Sequence, residues 1–175
     1  MSPANRNAGG PRDPGLPPPR FQVEKPRGNL PSAMEKTQSG PDGPRVLLVD
    51  DQPFFTAFLR EKFEEQGYSV ATAADGYEAL AFVRQVGTPL VVLLDLMLPR
   101  LSGQQTLREL ARGPDAAGIR VVLVSAHHTV ETLAPNHPMV VGRAQKPIDL
   151  GELSRMVDVA TRDLASQVPG ATGEA

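Results

Sequence analysis

The sequence predicts an α/β domain in which a five-stranded parallel sheet is doubly wound, with helices on both faces. Three observations predict it. Val46–Val49, Leu90–Leu94 and Ile119–Val124 are aliphatic almost throughout, as strands covered on both faces are. The stretches between them carry apolar residues at helical spacing. Strand and helix signals alternate along the chain, the order that a parallel sheet with helical crossovers requires.

The elements follow in order. Val46–Val49 ends in the pair Asp50 and Asp51, and Pro53 then suits the first turn of a helix, where a missing N–H costs nothing. Phe54, Phe55, Phe58, Leu59 and Phe63 recur at helical spacing until Gly67 stops the run. Residues 68–73 have β character. Gly76–Val86 reads as a second helix, with Ala79, Leu80 and Val83 on one face. Asp75 stands at its N-cap, with Glu78 at capping-box spacing. Leu90–Leu94 is the third strand and ends at Asp95. A helix with Leu107, Leu110 and Ala111 follows Gly103. Ile119–Val124 is the fourth strand and ends at Ser125. Val140 and Val141 begin a weaker fifth strand that ends near Lys146. The last helix carries Leu150, Leu153, Val157, Ala160 and Leu164, capped by Asp149. Five such β–α units in about 120 residues fit the flavodoxin-like type, whose crevice lies at the carboxyl ends of the strands.

The first 44 residues are of another kind. They hold 10 of the 18 prolines and 6 of the 16 glycines, and only 9 of them are apolar. Such a segment buries too little apolar surface to offset the entropy of ordering. Residues 1–44 are therefore expected to be a disordered leader and 45–165 the folded domain, with 166–175 a frayed tail. The Pro17–Arg20 stretch leaves a docking peptide open, and a translation start at Met34 is a third possibility. The leader carries six Lys+Arg against four Asp+Glu, the remainder 12 against 16.

Composition excludes several functions. A formal net charge of -2 argues against a generally basic nucleic-acid binder. The absence of cysteine excludes disulfide scaffolds, thiolate zinc sites and cysteine catalysis, and fits a reducing compartment. The longest apolar stretch, Leu90–Leu98, is interrupted by Asp95 and is too short to span a bilayer. No apolar signal core stands at the N-terminus. A soluble, cytoplasmic chain is expected, with no membrane insertion and no direct nucleic-acid binding. The abundance of Pro, Gly, Ala and Arg points to a GC-rich bacterial genome.

The polar residues at the strand ends carry the chemistry. Asp50, Asp51 and Asp95 would share one crevice and repel one another unless a cation joined them. A hard divalent ion suits oxygen ligands, and Mg2+ accepts one or two carboxylates while keeping waters. One carboxylate could then attack phosphorus and form an aspartyl phosphate. Lys146 supplies a positive charge for a phosphate oxygen and Ser125 a short hydroxyl, with small Ala126 beside it. Each residue alone reads as a cap, turn or loop residue. Their joint placement at four strand ends does not.

From Arg45 to about Leu164 the chain resembles the receiver domain of two-component response regulators. VLLVDDQP around Asp50 and Asp51, LLDLMLPRLSG around Asp95, VVLVSA around Ser125 and the Lys146–Pro147 pair carry the resemblance, with EEQGYSVATAADGYEAL between them. It implies Asp95 as phosphoacceptor. It implies Mg2+ held by Asp51, by Asp50 directly or through water, by Asp95 and by the Met97 backbone carbonyl. It implies Ser125 as the switch hydroxyl, Lys146 as the partner of the phosphate, and a cis peptide before Pro147. The donor would be a histidine kinase or a histidine phosphotransfer protein. The domain would catalyse only its own phosphorylation and dephosphorylation. With only 11 residues after Leu164, no output module is expected, so the signal would leave through protein contacts or onward transfer.

Two features depart from the family's pattern. Arg143 stands where Tyr or Phe is usual, three residues before the lysine, and either points to solvent or marks an altered switch or partner contact. Pro135 and Pro138 flank Asn136 and His137, so a helix after His128 must be short. That puts in question the face formed by this helix, the fifth strand and the last helix, the usual output surface. His127 and His128 read as exposed loop residues, with His127 at the lip of the phosphorylation site as the alternative. A receiver fold that works as an interaction module without phosphorylation is the competing reading. A phosphatase of the haloacid dehalogenase class would want an acid two residues after Asp95, where Met97 stands. Neither a GxxxxGK[ST] loop nor a GxGxxG turn is present.

Overall fold

A computed structural model describes residues 45–126 and 136–167. Its strands are β1 (Arg45–Val49), β2 (Ser69–Ala73), β3 (Leu90–Asp95), β4 (Ile119–Ser125) and β5 (Val140–Gln145). The helices among the described residues are α1 (Pro53–Glu65), α2 (Gly76–Val86), α3 (Gly103–Arg112) and α4 (Leu150–Ser166), with a 3-10 turn at Ala116–Gly118. All strand pairs are parallel, in the order β2-β1-β3-β4-β5. This is the doubly wound flavodoxin-like sheet that the sequence predicts. Residues 1–44, 127–135 and 168–175 lie outside the described part, and with them the expected leader, Pro135, His127, His128 and the short helix expected after His128.

The alternation of side chains along each strand splits the core into two layers. Leu47, Val49, Val92, Leu94, Val121 and Leu123 face α2 and α3, where Ala79, Val83, Leu107 and Leu110 meet them. Val46, Leu48, Val91, Leu93, Val122 and Val124 face α1 and α4, where Leu59, Phe63, Leu153, Val157 and Leu164 meet them. Every residue of β3 and β4 is buried. The aliphatic runs are continuous because both faces of each strand are core.

Caps set the helix ends. Asp75 accepts hydrogen bonds from the Tyr77 and Glu78 N–H groups, as its N-cap position predicts. Glu78 does not close a capping box on Asp75; its carboxylate reaches one residue further, to the Ala74 N–H at 2.9 Å. The full box forms instead between Ser102 and Gln105 at α3. Asp149 caps α4 through the Glu152 N–H. Gly67 follows α1 with φ of 90°, a conformation that a side chain disfavours.

Two elements show details that the sequence pattern leaves open. Phe54, Phe55, Phe58, Leu59 and Phe63 lie on the helix that their spacing predicts but do not share one face. Phe55, Leu59 and Phe63 point inward, but Phe54 is 92% exposed and Phe58 48%. One residue turns a helix by about 100°, which carries the Phe54–Phe58 pair off the buried stripe. The weakness of β5 has a geometric cause: Val121 pairs with Val140 and Val122 with Gly142, so Val141 is an extra residue in a bulge.

Candidate phosphoacceptor site

Strand order decides which polar residues meet. Asp50 follows β1, Asp95 ends β3, and these strands are neighbours at the centre of the sheet. Ser125 ends β4 on the other side of β3, and Lys146 follows β5. The Lys146 N–H donates to the Ser125 carbonyl at 2.9 Å, which extends the β4–β5 ladder by one bond and starts the lysine side chain from the rim of the crevice. The Lys146–Pro147 and Thr88–Pro89 peptides are cis.

The Lys146 ammonium donates to Asp50 Oδ2 at 2.5 Å and to Asp95 Oδ2 at 2.7 Å. The other carboxylate oxygens are held by backbone. Gln52 N–H donates to Asp50 Oδ1 and Met97 N–H to Asp95 Oδ1, both at 2.9 Å. Both carboxylates and Ser125 are buried. Asp51 is exposed at the rim, with no side-chain partner among the described residues. The Met97 side chain is exposed, so what it brings to the site is its backbone.

One ammonium thus serves two buried carboxylates. Burial pushes the Asp50 carboxyl up, against the pull of Lys146 and the Gln52 N–H, and the Asp95 charge adds to the push. Burial pulls Lys146 down, but its hydrogen bonds to Asp50 and Asp95 outweigh that and the net shift is upward. The lysine stays charged and the crevice remains short of positive charge.

Sequence reasoning missed one neighbour of this cluster, Phe55, and the contacts of Arg100 in the adjoining loop. Lys146 Nζ lies 4.5 Å from the centroid of the Phe55 ring. Phe55 is visible in the sequence only as an apolar helix residue. In the loop after β3, Arg100 adopts a φ of 64° and donates to Asp75 Oδ2 at 2.7 Å. Its guanidinium also lies 5.0 Å from the Tyr77 ring. The loop returns tightly: a Cβ on Gly103 would come within 2.0 Å of the Asp95 carbonyl oxygen, so only glycine lets α3 start there. Arg143 is half-buried, not turned freely to solvent. Nη2 donates to Asn136 Oδ1 at 3.3 Å, while Nε is buried without an acceptor among the described residues.

The sequence profile of the response regulator receiver domain matches residues 46–158. The chain belongs to this family. Protein Rrf1 of Nitratidesulfovibrio vulgaris is 34% identical over 125 residues, which cover 71% of the receiver chain and 88% of Rrf1. Protein PilH of Pseudomonas aeruginosa is 36% identical over 81 residues, covering 46% of this receiver's chain and 66% of PilH. Among solved structures, the signal receiver domain of a putative Luxo repressor protein from Vibrio parahaemolyticus superposes with a TM-score of 0.64 at 26% identity, covering 74% of this receiver and 99% of that chain. The response regulator TrrA of Thermotoga maritima, solved in complex with Mg2+-BeF, gives a TM-score of 0.59 at 27% identity and covers 67% and 98% of the two chains. The receiver therefore has the fold and the family that its sequence implies, and its acidic crevice lies at the carboxyl ends of the strands.

Proposed function

We propose that this receiver is phosphorylated on Asp95 by a histidine kinase or a histidine phosphotransfer protein. The observation that carries the reading is the Lys146 ammonium bridging Asp50 and Asp95 in a buried crevice. A carboxylate oxygen of Asp95 attacks the phosphohistidine phosphorus of the donor. An O–P bond forms as the N–P bond breaks, and the imidazole leaves with the electron pair. Lys146 is placed to take up the charge of a phosphoryl oxygen. Ser125, at the end of the neighbouring strand, is the hydroxyl whose contact with the phosphoryl group would report the modification.

The donor set suits Mg2+: hard carboxylate oxygens of Asp50 and Asp95, with Asp51 and the Met97 carbonyl as further candidates, in a crevice short of positive charge. Among the described residues no three acidic or histidine side chains form a ready-made cage. Mg2+ itself keeps several waters and takes few protein ligands. When bound, the ion neutralises charge on the transferring phosphoryl group. TrrA in its Mg2+-BeF complex supports the same reading for this receiver.

The reaction is confined to the receiver's own aspartate, and the signal passes on by protein contacts or by onward transfer. No described helix is long and apolar enough to cross a membrane. A cytoplasmic location, without direct nucleic-acid contact, goes with a kinase donor. One observation favours the second reading, an interaction module that works without phosphorylation: the Arg143 Nε is buried with no hydrogen-bond acceptor among the described residues, where the family usually has an aromatic ring. Intact-protein mass after incubation with acetyl phosphate separates the two. A phosphoryl-sized gain is expected, dependent on Mg2+ and lost in Asp95→Asn. A folded protein that gains no mass from acetyl phosphate or from a histidine donor would establish the module.

A further inference from the structure

We propose that Phe55 is a positioning residue for the lysine of the phosphorylation site, its ring face holding the Lys146 ammonium over Asp50 and Asp95. The inference rests on the phosphoacceptor reading and deepens it. The 4.5 Å separation of Nζ from the ring centroid is within the range of a cation–π contact. Phe55 sits in the first turn of α1, whose start is set by Pro53 and by the Phe55 N–H donating to the Gln52 carbonyl at 3.1 Å. The same Gln52 donates its own N–H to Asp50. One short piece of backbone therefore places both a carboxylate and the ring against the same ammonium.

The chemistry gives this contact a purpose that the ion pairs do not serve. The anionic partners of Lys146 change during the reaction, because Asp95 exchanges its carboxylate charge for the charged oxygens of an acyl phosphate. The ring does not change. It attracts the ammonium through its quadrupole without neutralising it, so the full positive charge stays available to a phosphoryl oxygen. The ring also covers the ammonium on the α1 side, where the Lys146 side chain is only 14% exposed.

The test uses Phe55→Leu, which keeps an apolar side chain of similar bulk against the core, and Phe55→Tyr, which keeps the π face. Two measurements are made on the full chain. NMR reads the ε-methylene protons of Lys146 without Mg2+ or phosphodonor. The ring current is expected to shift them upfield in the wild type and in Phe55→Tyr, and they return to the ordinary lysine position in Phe55→Leu. Acetyl phosphate with Mg2+ then gives the rate at which Asp95 gains the phosphoryl group, as the acyl O–P bond breaks and acetate leaves. Phe55→Leu is expected to be about three- to tenfold slower, the effect of losing one desolvated cation–π contact, and Phe55→Tyr restores the rate. Mg2+ affinity, followed by chemical-shift titration, and the melting temperature stay close to wild type in both variants. A wild-type rate in Phe55→Leu, an equal loss in Phe55→Tyr, or an unshifted lysine in the wild type overturns the proposal. A wild type with the shifted lysine that takes no phosphoryl group from acetyl phosphate or from a histidine donor overturns the phosphoacceptor reading and the role built on it, and the intact ring shift tells that failure apart from a misplaced ring.

Discussion

Asp50 shows how one residue trades stability against function. Its carboxyl is pushed up by burial, so the folded state binds its proton more tightly than the unfolded chain does. The sign follows from linkage: the stability it contributes is present below its ordinary value of 3.8 and is lost as pH rises through the elevated folded value. At neutral pH without Mg2+, Asp50 is therefore a destabilising charge. Asp50→Asn should raise stability by about 1 kcal/mol at pH 7, since Lys146 keeps Asp95 as its counter-ion while the buried charge excess falls. Urea unfolding of both proteins with and without Mg2+ checks this. The gain should shrink when Mg2+ is added, because the wild type then has an ion to bind. The sequence makes the positions of Asp50, Asp95 and Ser125 legible, because each stands where an apolar run ends and the end of a buried strand faces the crevice; Lys146 is legible as the residue after the weaker fifth strand. It does not show that one ammonium spans both carboxylates, nor that a phenylalanine lies against it. Those depend on side-chain reach across residues 51 and 96 positions apart, which no local pattern encodes.

At the scale of elements, α2 and the β3–α3 loop are tied together by one side chain. Asp75 caps α2 with one oxygen and pairs with Arg100 through the other. Asp75 is buried while Arg100 is largely exposed, so the ion pair itself adds little and the cap dominates. Asp75→Ala should cost about 1–2 kcal/mol, most of it from the two N–H groups left without an acceptor. Asp75→Asn, which can still cap, should recover the larger part. Chemical denaturation of the three proteins decides it, and an equal loss in both variants would put the weight on Arg100 instead. The cap is legible in the sequence because an acceptor before an apolar-periodic run has few other uses. The exposed pair Phe54 and Phe58 is not legible. Five large apolar residues in ten look like a wide core stripe, and only the sheet that α1 packs on selects Phe55, Leu59 and Phe63 from it.

Across the whole molecule, the layer of α1 and α4 is closed by a polar contact as well as by its core. Tyr68, next to β2 at one edge of the sheet, donates its hydroxyl to Asp158 of α4, 90 residues away. Its ring also meets Phe63 edge-on with centroids 5.8 Å apart. Burial first, and then the Asp158 carboxylate accepting from the hydroxyl, push the Tyr68 phenol up to about 12 from 10.0. The folded state therefore holds the phenolic proton more tightly than the unfolded chain. The stability this contributes is complete below pH 10 and is lost as pH rises towards about 12. Tyr68→Phe keeps the ring and removes the hydroxyl, so at pH 7 it should be less stable than wild type by about 1–2 kcal/mol. Above pH 10 the two should converge, because the wild type loses a contribution that the variant never had. Every other lysine and tyrosine titrates in both proteins and cancels in the difference. Urea midpoints of the pair at pH 8 and at pH 11 measure it directly. A gap that stays constant between those values would mean that the hydroxyl is not held by Asp158, and that apolar packing alone joins α4 to the β2 edge.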